Sequence, residues 1–147
     1  MPRIMKILNN ISRCQSNYRA SKLRTDRLCV GHHAFVLVIC RNPGSSQEKL
    51  SRELCLDKST VARALSHLEE KGFIKREANV ENKRETLVFP TEKMLEILPE
   101  VRKITNEWNE LLVSEIPEEE LEVFYSVLSR IEGKARMIIE DLEGGQK

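Results

Sequence analysis

The sequence predicts a mainly α-helical chain with one small β-hairpin, placed directly after a pair of short helices and flanked by long ones. Three observations carry this expectation. Apolar residues recur at helical spacing through most of the chain. The segment DKSTVARALSHLEEKG at 57–72 holds a helix start, an apolar stripe and a helix stop in succession. Residues 73–77 and 86–89 are strand-like runs rich in branched and aromatic side chains, separated by a polar connector at 78–85.

The elements follow in order. Ile4, Ile7, Leu8, Ile11, Tyr18 and Leu23 predict a long amphipathic first helix over 3–26. A second helix over about 31–41 contains the apolar run AFVLVIC, and Asn42-Pro43-Gly44 stops it as a turn. Ser45-Ser46-Gln47-Glu48 offers an N-cap with a nearby acidic side chain, opening a short helix through Leu50 and Leu54. After a tight Cys55-Leu56 turn, Asp57 caps the next helix, because its carboxylate can accept from the free N–H groups of the first turn. Val61, Leu65 and Leu68 form one core-facing stripe, and Gly72 is the expected terminator, since positive φ costs glycine nothing. Pro90 ends the second strand, and Thr91 is placed to cap a helix running to about 115, which Pro99 is expected to bend. Ile116-Pro117 breaks it. A last helix opens at Glu118-Glu119-Glu120, where negative charge suits the helix dipole.

A chain of 147 residues is expected to form a single domain over 1–147. With 40% hydrophobic and 32% charged residues, and no apolar run of the roughly 18–20 residues a membrane span needs, a membrane protein is not expected. The basic N-terminal stretch is not followed by an apolar segment and a small-residue cleavage site, so the expected compartment is cytoplasmic. Four widely spaced cysteines then read as reduced thiols, with Cys40 and Cys55 falling in apolar patterns as core residues. The formal net charge of +1 conceals a gradient: +6 over 1–40, +2 over 41–90 and −7 over 91–147. The basic front suits an anionic partner. Neither a glycine-rich phosphate loop nor a spaced Ser/His/Asp set is present, so no enzyme and no cofactor is expected.

Two short helices joined by a tight turn and followed by a hairpin form a winged helix-turn-helix. With Val61, Leu65 and Leu68 turned inward, Lys58, Ser59, Thr60, Arg63, Ser66 and His67 are left on the outer face. Small hydroxyls, a guanidinium that can donate twice to guanine, and a helix N-terminus suit double-stranded DNA. Ser46 and Gln47 at the start of the preceding helix join that candidate set, and the polar hairpin tip adds Lys83 and Arg84, placed to meet phosphates or the minor groove.

The blocks SSQEKLSRELCLDKSTVARALSHLEEKGFIKRE and NKRETLVFPTEKM, with long helices on either side, resemble the MarR family of winged-helix transcriptional regulators across nearly the whole chain. By that resemblance Lys58, Ser59, Thr60 and Arg63 fall on the recognition helix and Arg84 on the wing arginine, while the family's wing aspartate is Asn82 here. Asparagine keeps the ability to accept from backbone amides and loses the ion pair with the arginine. The resemblance also implies a homodimer built from about 1–30 and 91–147 around a winged-helix part at about 31–90, acting as a repressor on a pseudo-palindromic operator and released by an effector. Independently, Ile4, Ile7, Leu8 and Ile11 lack an obvious partner within one chain. Cys29, His32 and His33 are the metal-like grouping, and Cys14 and Cys29 the candidates for a thiol switch; a small-molecule effector is the third possibility. The competing reading is a winged-helix module that binds protein in place of specific DNA.

Overall fold

The computed structural model describes residues 3–23 and 28–144, and of Val30 the backbone alone. The chain divides into two compact units, Met1–Trp108 and Asn109–Lys147. In the first, α1 (Ile4–Lys22) is followed by a 3-10 turn (Val30–His32) and α2 (His33–Arg41). Positions 24–26 of the expected first helix lie outside the described residues. Then come β1 (Ser45–Ser46), α3 (Gln47–Leu54), α4 (Lys58–Glu70), β2 (Ile74–Ala78), β3 (Thr86–Pro90) and α5 (Glu92–Val113). The second unit holds the end of α5 and α6 (Glu118–Gly144). Among the described residues no helix is long and apolar enough to cross a membrane.

The core of the first unit forms where the apolar faces of α2, α3, α4 and α5 meet the sheet. Phe35, Val36 and Ile39 from α2, Leu50 from α3, Val61, Leu65 and Leu68 from α4, Phe73, Ile74 and Val88 around the sheet, and Met94 and Val101 from α5 belong to one buried cluster. Each fully buried aliphatic side chain contributes about 1.5–3 kcal/mol relative to exposure. The stripe expected on α4 is therefore the inward face of that helix.

Local signals end the elements where the sequence places them. At the end of α4, the Gly72 N–H donates to the Glu69 carbonyl and the Phe73 N–H to the Leu68 carbonyl, both at 2.9 Å. Gly72 has φ +79°, the left-handed conformation this closing motif requires. Gly44 likewise has φ +81°, and a Cβ there would meet the Phe89 ring at 3.1 Å. Asn42-Pro43-Gly44 thus turns tightly against the sheet. Pro99 lies inside α5 without ending it.

Four expectations are corrected. The sheet has three strands, ordered β1-β3-β2, because Ser45 and Ser46 pair antiparallel with Val88 and Leu87 before the second of them caps α3; two residues are too few to show a strand period. Cys55 is exposed: it takes the left-handed position (φ +52°) that ends α3, which points its side chain outward. Thr91 precedes α5, and its carbonyl accepts from Met94 and Leu95, but its hydroxyl donates towards the Gly72 and Phe73 carbonyls. That hydroxyl ties the helix to the hairpin root in place of capping it. His33, which the sequence groups with Cys29 and His32 as metal-like while expecting no metal site, is fully buried on α2 and lies outside the Cys29, His32 and His67 cluster.

The long helices leave apolar surface open. No described residue of α1 or α6 is buried. On α1, Ile4, Met5, Ile7 and Ile11 are exposed, while towards its C-terminal end the Tyr18 ring packs 5.1 Å from Trp108 of α5. On α6, Val123, Phe124, Val127, Ile138 and Leu142 are exposed. An Arg136–Glu132 pair at 2.8 Å decorates its polar side.

The buried His33 has a measurable consequence. Burial first, and then the charge of Arg19, push its imidazole down to about 4. The unfolded ring takes up a proton near pH 6.5. The unfolded state therefore binds more protons between these values, so stability is complete above about pH 6.5 and falls as pH drops towards 4. Urea unfolding at matched protein concentration should show a loss of roughly 1–2 kcal/mol from this group between pH 7 and pH 5, and His33→Leu should flatten that slope. An unchanged slope in the variant would assign the acid sensitivity elsewhere.

Candidate nucleic-acid interface

The candidate interface is built on the start of α4. Asp57 accepts from the Thr60 N–H at 2.8 Å and from the hydroxyls of Ser59 (2.5 Å) and Thr60 (2.6 Å). These bonds, that from the Ser59 hydroxyl foremost, hold its carboxyl well below the ordinary carboxylate range. The anion position at this helix N-terminus is thus filled by the protein's own carboxylate. With their hydroxyl protons given to Asp57, Ser59 and Thr60 are left with acceptor capacity alone. One turn on, Arg63 is exposed and donates to the Thr60 hydroxyl oxygen at 3.3 Å, so its guanidinium is held beside the helix start. Lys58 stands on the same edge, 3.9 Å from Glu48 and largely in solvent.

The hairpin is anchored to this helix by one arginine. Arg76 of β2 donates through its Nε and Nη2 to a single Glu69 carboxylate oxygen at 2.9 and 2.6 Å, and its backbone N–H donates to the other at 3.2 Å. The same guanidinium donates to the Ser66 hydroxyl oxygen at 3.3 Å and to Gln47 Oε1 at 3.4 Å. It joins α3, α4 and β2 at one point. The bonds from Arg76 hold the Glu69 carboxyl below its ordinary value.

At the tip, the Glu85 N–H donates to the Asn82 carbonyl at 2.9 Å, which closes a turn with Lys83 and Arg84 at its centre. Asn82 Oδ1 accepts from the Arg84 N–H at 3.2 Å, and Asn79 Oδ1 from the Glu81 N–H at 3.1 Å. Asparagine side chains supply the acceptors that shape the tip. Lys83 and Arg84 are exposed. The interface combines a helix face carrying Arg63 and a turn apex carrying two further cations.

Comparison with known proteins agrees with this arrangement. The MarR family model matches residues 33–86, from the start of α2 to the start of β3. The chain is 29% identical over 144 residues to the HTH-type transcriptional regulator YybA of Bacillus subtilis (strain 168), covering 98% of this chain and 96% of that protein. The solved structure of MarR superposes with a TM-score of 0.80 at 31% identity over 95% of both chains. The chain belongs to the MarR family. A MarR-family regulator of Listeria monocytogenes, solved in complex with a 26mer DNA, is 27% identical with a TM-score of 0.86 over 92% of this chain and 91% of that one.

In this MarR-family regulator the expected residues do not all stand alike. Lys58, Arg63, Lys83 and Arg84 are exposed, whereas Ser46 caps α3 by accepting from the Lys49 N–H at 3.2 Å. Gln47 and Ser66 face Arg76. His67 is half-buried, its Nε2 3.6 Å from the exposed Cys29 Sγ. Sequence reasoning missed Arg76 and Glu69. Their seven-residue separation crosses a helix end and a strand start, so no helical or strand period links them.

Arg76→Ala should leave the core intact and loosen the wing. The Arg76 and Glu69 side chains are 25% and 39% exposed, so solvent screens the pair and its removal costs a few tenths to about 1 kcal/mol. Amide exchange of Asn79 and Glu85 should quicken by up to about fivefold, with Val61 and Leu65 unchanged. Equal acceleration at all four amides would make Arg76 a global stabiliser and not the anchor of the wing.

Proposed function

We propose that this MarR-family transcriptional regulator reads double-stranded DNA with the outer face of α4, seats its wing tip on the adjacent backbone, and acts as an effector-released homodimeric repressor. The observation that carries the reading is the pairing of an exposed, braced Arg63 on α4 with an exposed Lys83-Arg84 apex on a wing tied to that helix through Arg76. Arg63 is the base-reading group, because its fork geometry matches the two acceptors of guanine. Lys58, Lys83 and Arg84 meet phosphates, which position the protein without discriminating sequence. Ser66 and Gln47 act chiefly by fixing Arg76, and Asp57 by fixing Ser59 and Thr60. The DNA-bound Listeria relative supports the same use of the fold.

Homodimerisation accounts for the open apolar residues of α1 and, separately, of α6. A two-fold arrangement covers such faces and presents two recognition helices to half-sites about 34 Å apart, one helical turn of DNA.

The test begins with duplexes selected from a random pool by the full-length chain, titrated at two salt concentrations. A selected palindrome-like site should bind with an affinity that falls steeply with salt, since each neutralised phosphate releases counterions. Arg63→Ala should cost about 1–3 kcal/mol against the preferred base and relax selection at that position, whereas Arg84→Ala should weaken all duplexes alike and reduce the salt slope by about one. Failure to enrich any site, or uniform loss on all sequences for Arg63→Ala, would refute the base-reading assignment.

A further inference from the structure

Cys29, His32 and His67 converge on one point, which takes His67 out of the duplex-facing set the sequence assigned it to and turns it towards Cys29. Cys29 precedes the 3-10 turn, His32 closes it, and His67 comes from the last turn of α4. One ligand atom from each of the three lies within 4.8 Å of the others. The Cys29 Sγ and His67 Nε2 are 3.6 Å apart, and the His32 and His67 ring centroids 5.2 Å. For a tetrahedral ion with metal–sulfur and metal–nitrogen bonds of about 2.3 and 2.0–2.1 Å, the sulfur–nitrogen edge is about 3.6 Å. The Cys29–His67 pair already has that spacing, and since no pair is wider than 4.8 Å the others have to close by at most about 1.2–1.5 Å, within the reach of imidazole rotations.

A thiol–imidazole hydrogen bond would explain Cys29 and His67 alone. It leaves His32 unexplained: its Nδ1 is shut off from solvent without a hydrogen-bond partner. Two imidazoles gathered on one thiol form a mixed nitrogen–sulfur donor set, which favours zinc-type ions over magnesium or calcium.

We propose that Cys29, His32 and His67 form a site for a divalent transition ion of zinc type, with water as the fourth ligand. Binding displaces the Cys29 thiol proton to solvent and forms one metal–sulfur and two metal–nitrogen bonds. The three residues border an open groove of about 510 Å³ that Thr60 and Arg63 also line. Arg63 precedes His67 by one helical turn, so an ion that fixes the His67 ring ties the segment entering α2 to the helix that carries the base-reading arginine. This coupling to DNA rests on the function proposed above; the ion site itself does not.

The experiment therefore starts without DNA. The reduced, chelator-stripped full-length chain is titrated with Co²⁺ as the probe. A thiolate-to-cobalt charge-transfer absorption should saturate at one equivalent per chain and vanish when Zn²⁺ is added. Cys29→Ser should abolish the band, His32→Ala and His67→Ala should each weaken Co²⁺ binding at least about tenfold, and Cys14→Ser should leave it unchanged; far-UV circular dichroism confirms that each variant is folded. Absence of the band, or a folded Cys29→Ser variant that retains it, overturns the site. In a second arm, Zn²⁺ should shift the affinity for the selected duplex in the unaltered chain and not in His32→Ala. A normal cobalt band with no zinc response in that arm would uphold the site and overturn the coupling.

Discussion

Everything at the candidate interface depends on the burial of one helical stripe. Val61, Leu65 and Leu68 are fully enclosed, and α4 packs through them against α3 and the root of the hairpin. Because successive side chains advance by about 100° around a helix, enclosing these three determines which residues can face outward. Lys58 and Arg63 are exposed for that reason. The Asp57 cap sets where the helix starts and Gly72 where it ends, so the stripe, the outer face and the hairpin root are placed by a few local decisions that agree with one another.

Polar anchoring adds orientation to this apolar scaffold. The Arg76 guanidinium and the Thr91 hydroxyl both work at the hairpin, the first fixing it to Glu69, Ser66 and Gln47 and the second holding its root to the start of α5. Neither needs to contribute much energy, since a partly exposed charged pair and a single neutral hydrogen bond are each worth about 1 kcal/mol or less. Their value is geometric. They constrain the distance between the helix face and the turn apex, the two surfaces that must meet one duplex together.

Much of this was legible in the sequence, and the remainder was hidden for identifiable reasons. The α4 stripe, its acidic cap and its glycine terminator are short-range patterns, which is why helix bounds and the inward face agree with periodicity. The MarR resemblance likewise rested on contiguous residues. By contrast, β1 exists only through its pairing with β3, and the Arg76–Glu69 contact only after the chain has turned. Cys55 was misplaced because an apolar pattern was read through a left-handed residue that breaks it. His32 and His33 looked equivalent as neighbours, but consecutive residues on a helical turn point in different directions: His33 enters the core, and His67, distant in sequence, takes its place beside Cys29. Ser59 is exposed and Thr60 half-buried at the helix start, and the engagement of both hydroxyls with Asp57 depends on rotamers that composition does not reveal.

The function proposed above requires the outer face of α4 and the wing apex to form one DNA-contacting surface. It is tested most directly by hydrogen–deuterium exchange on the full-length chain, with and without a tightly bound duplex. Exchange should slow chiefly in the first two turns of α4 and in the turn at 82–85, with the amides of α6 unaffected by DNA itself. Protection confined to α1 or α6, with the α4 start and the wing tip exchanging as in the free protein, would contradict it.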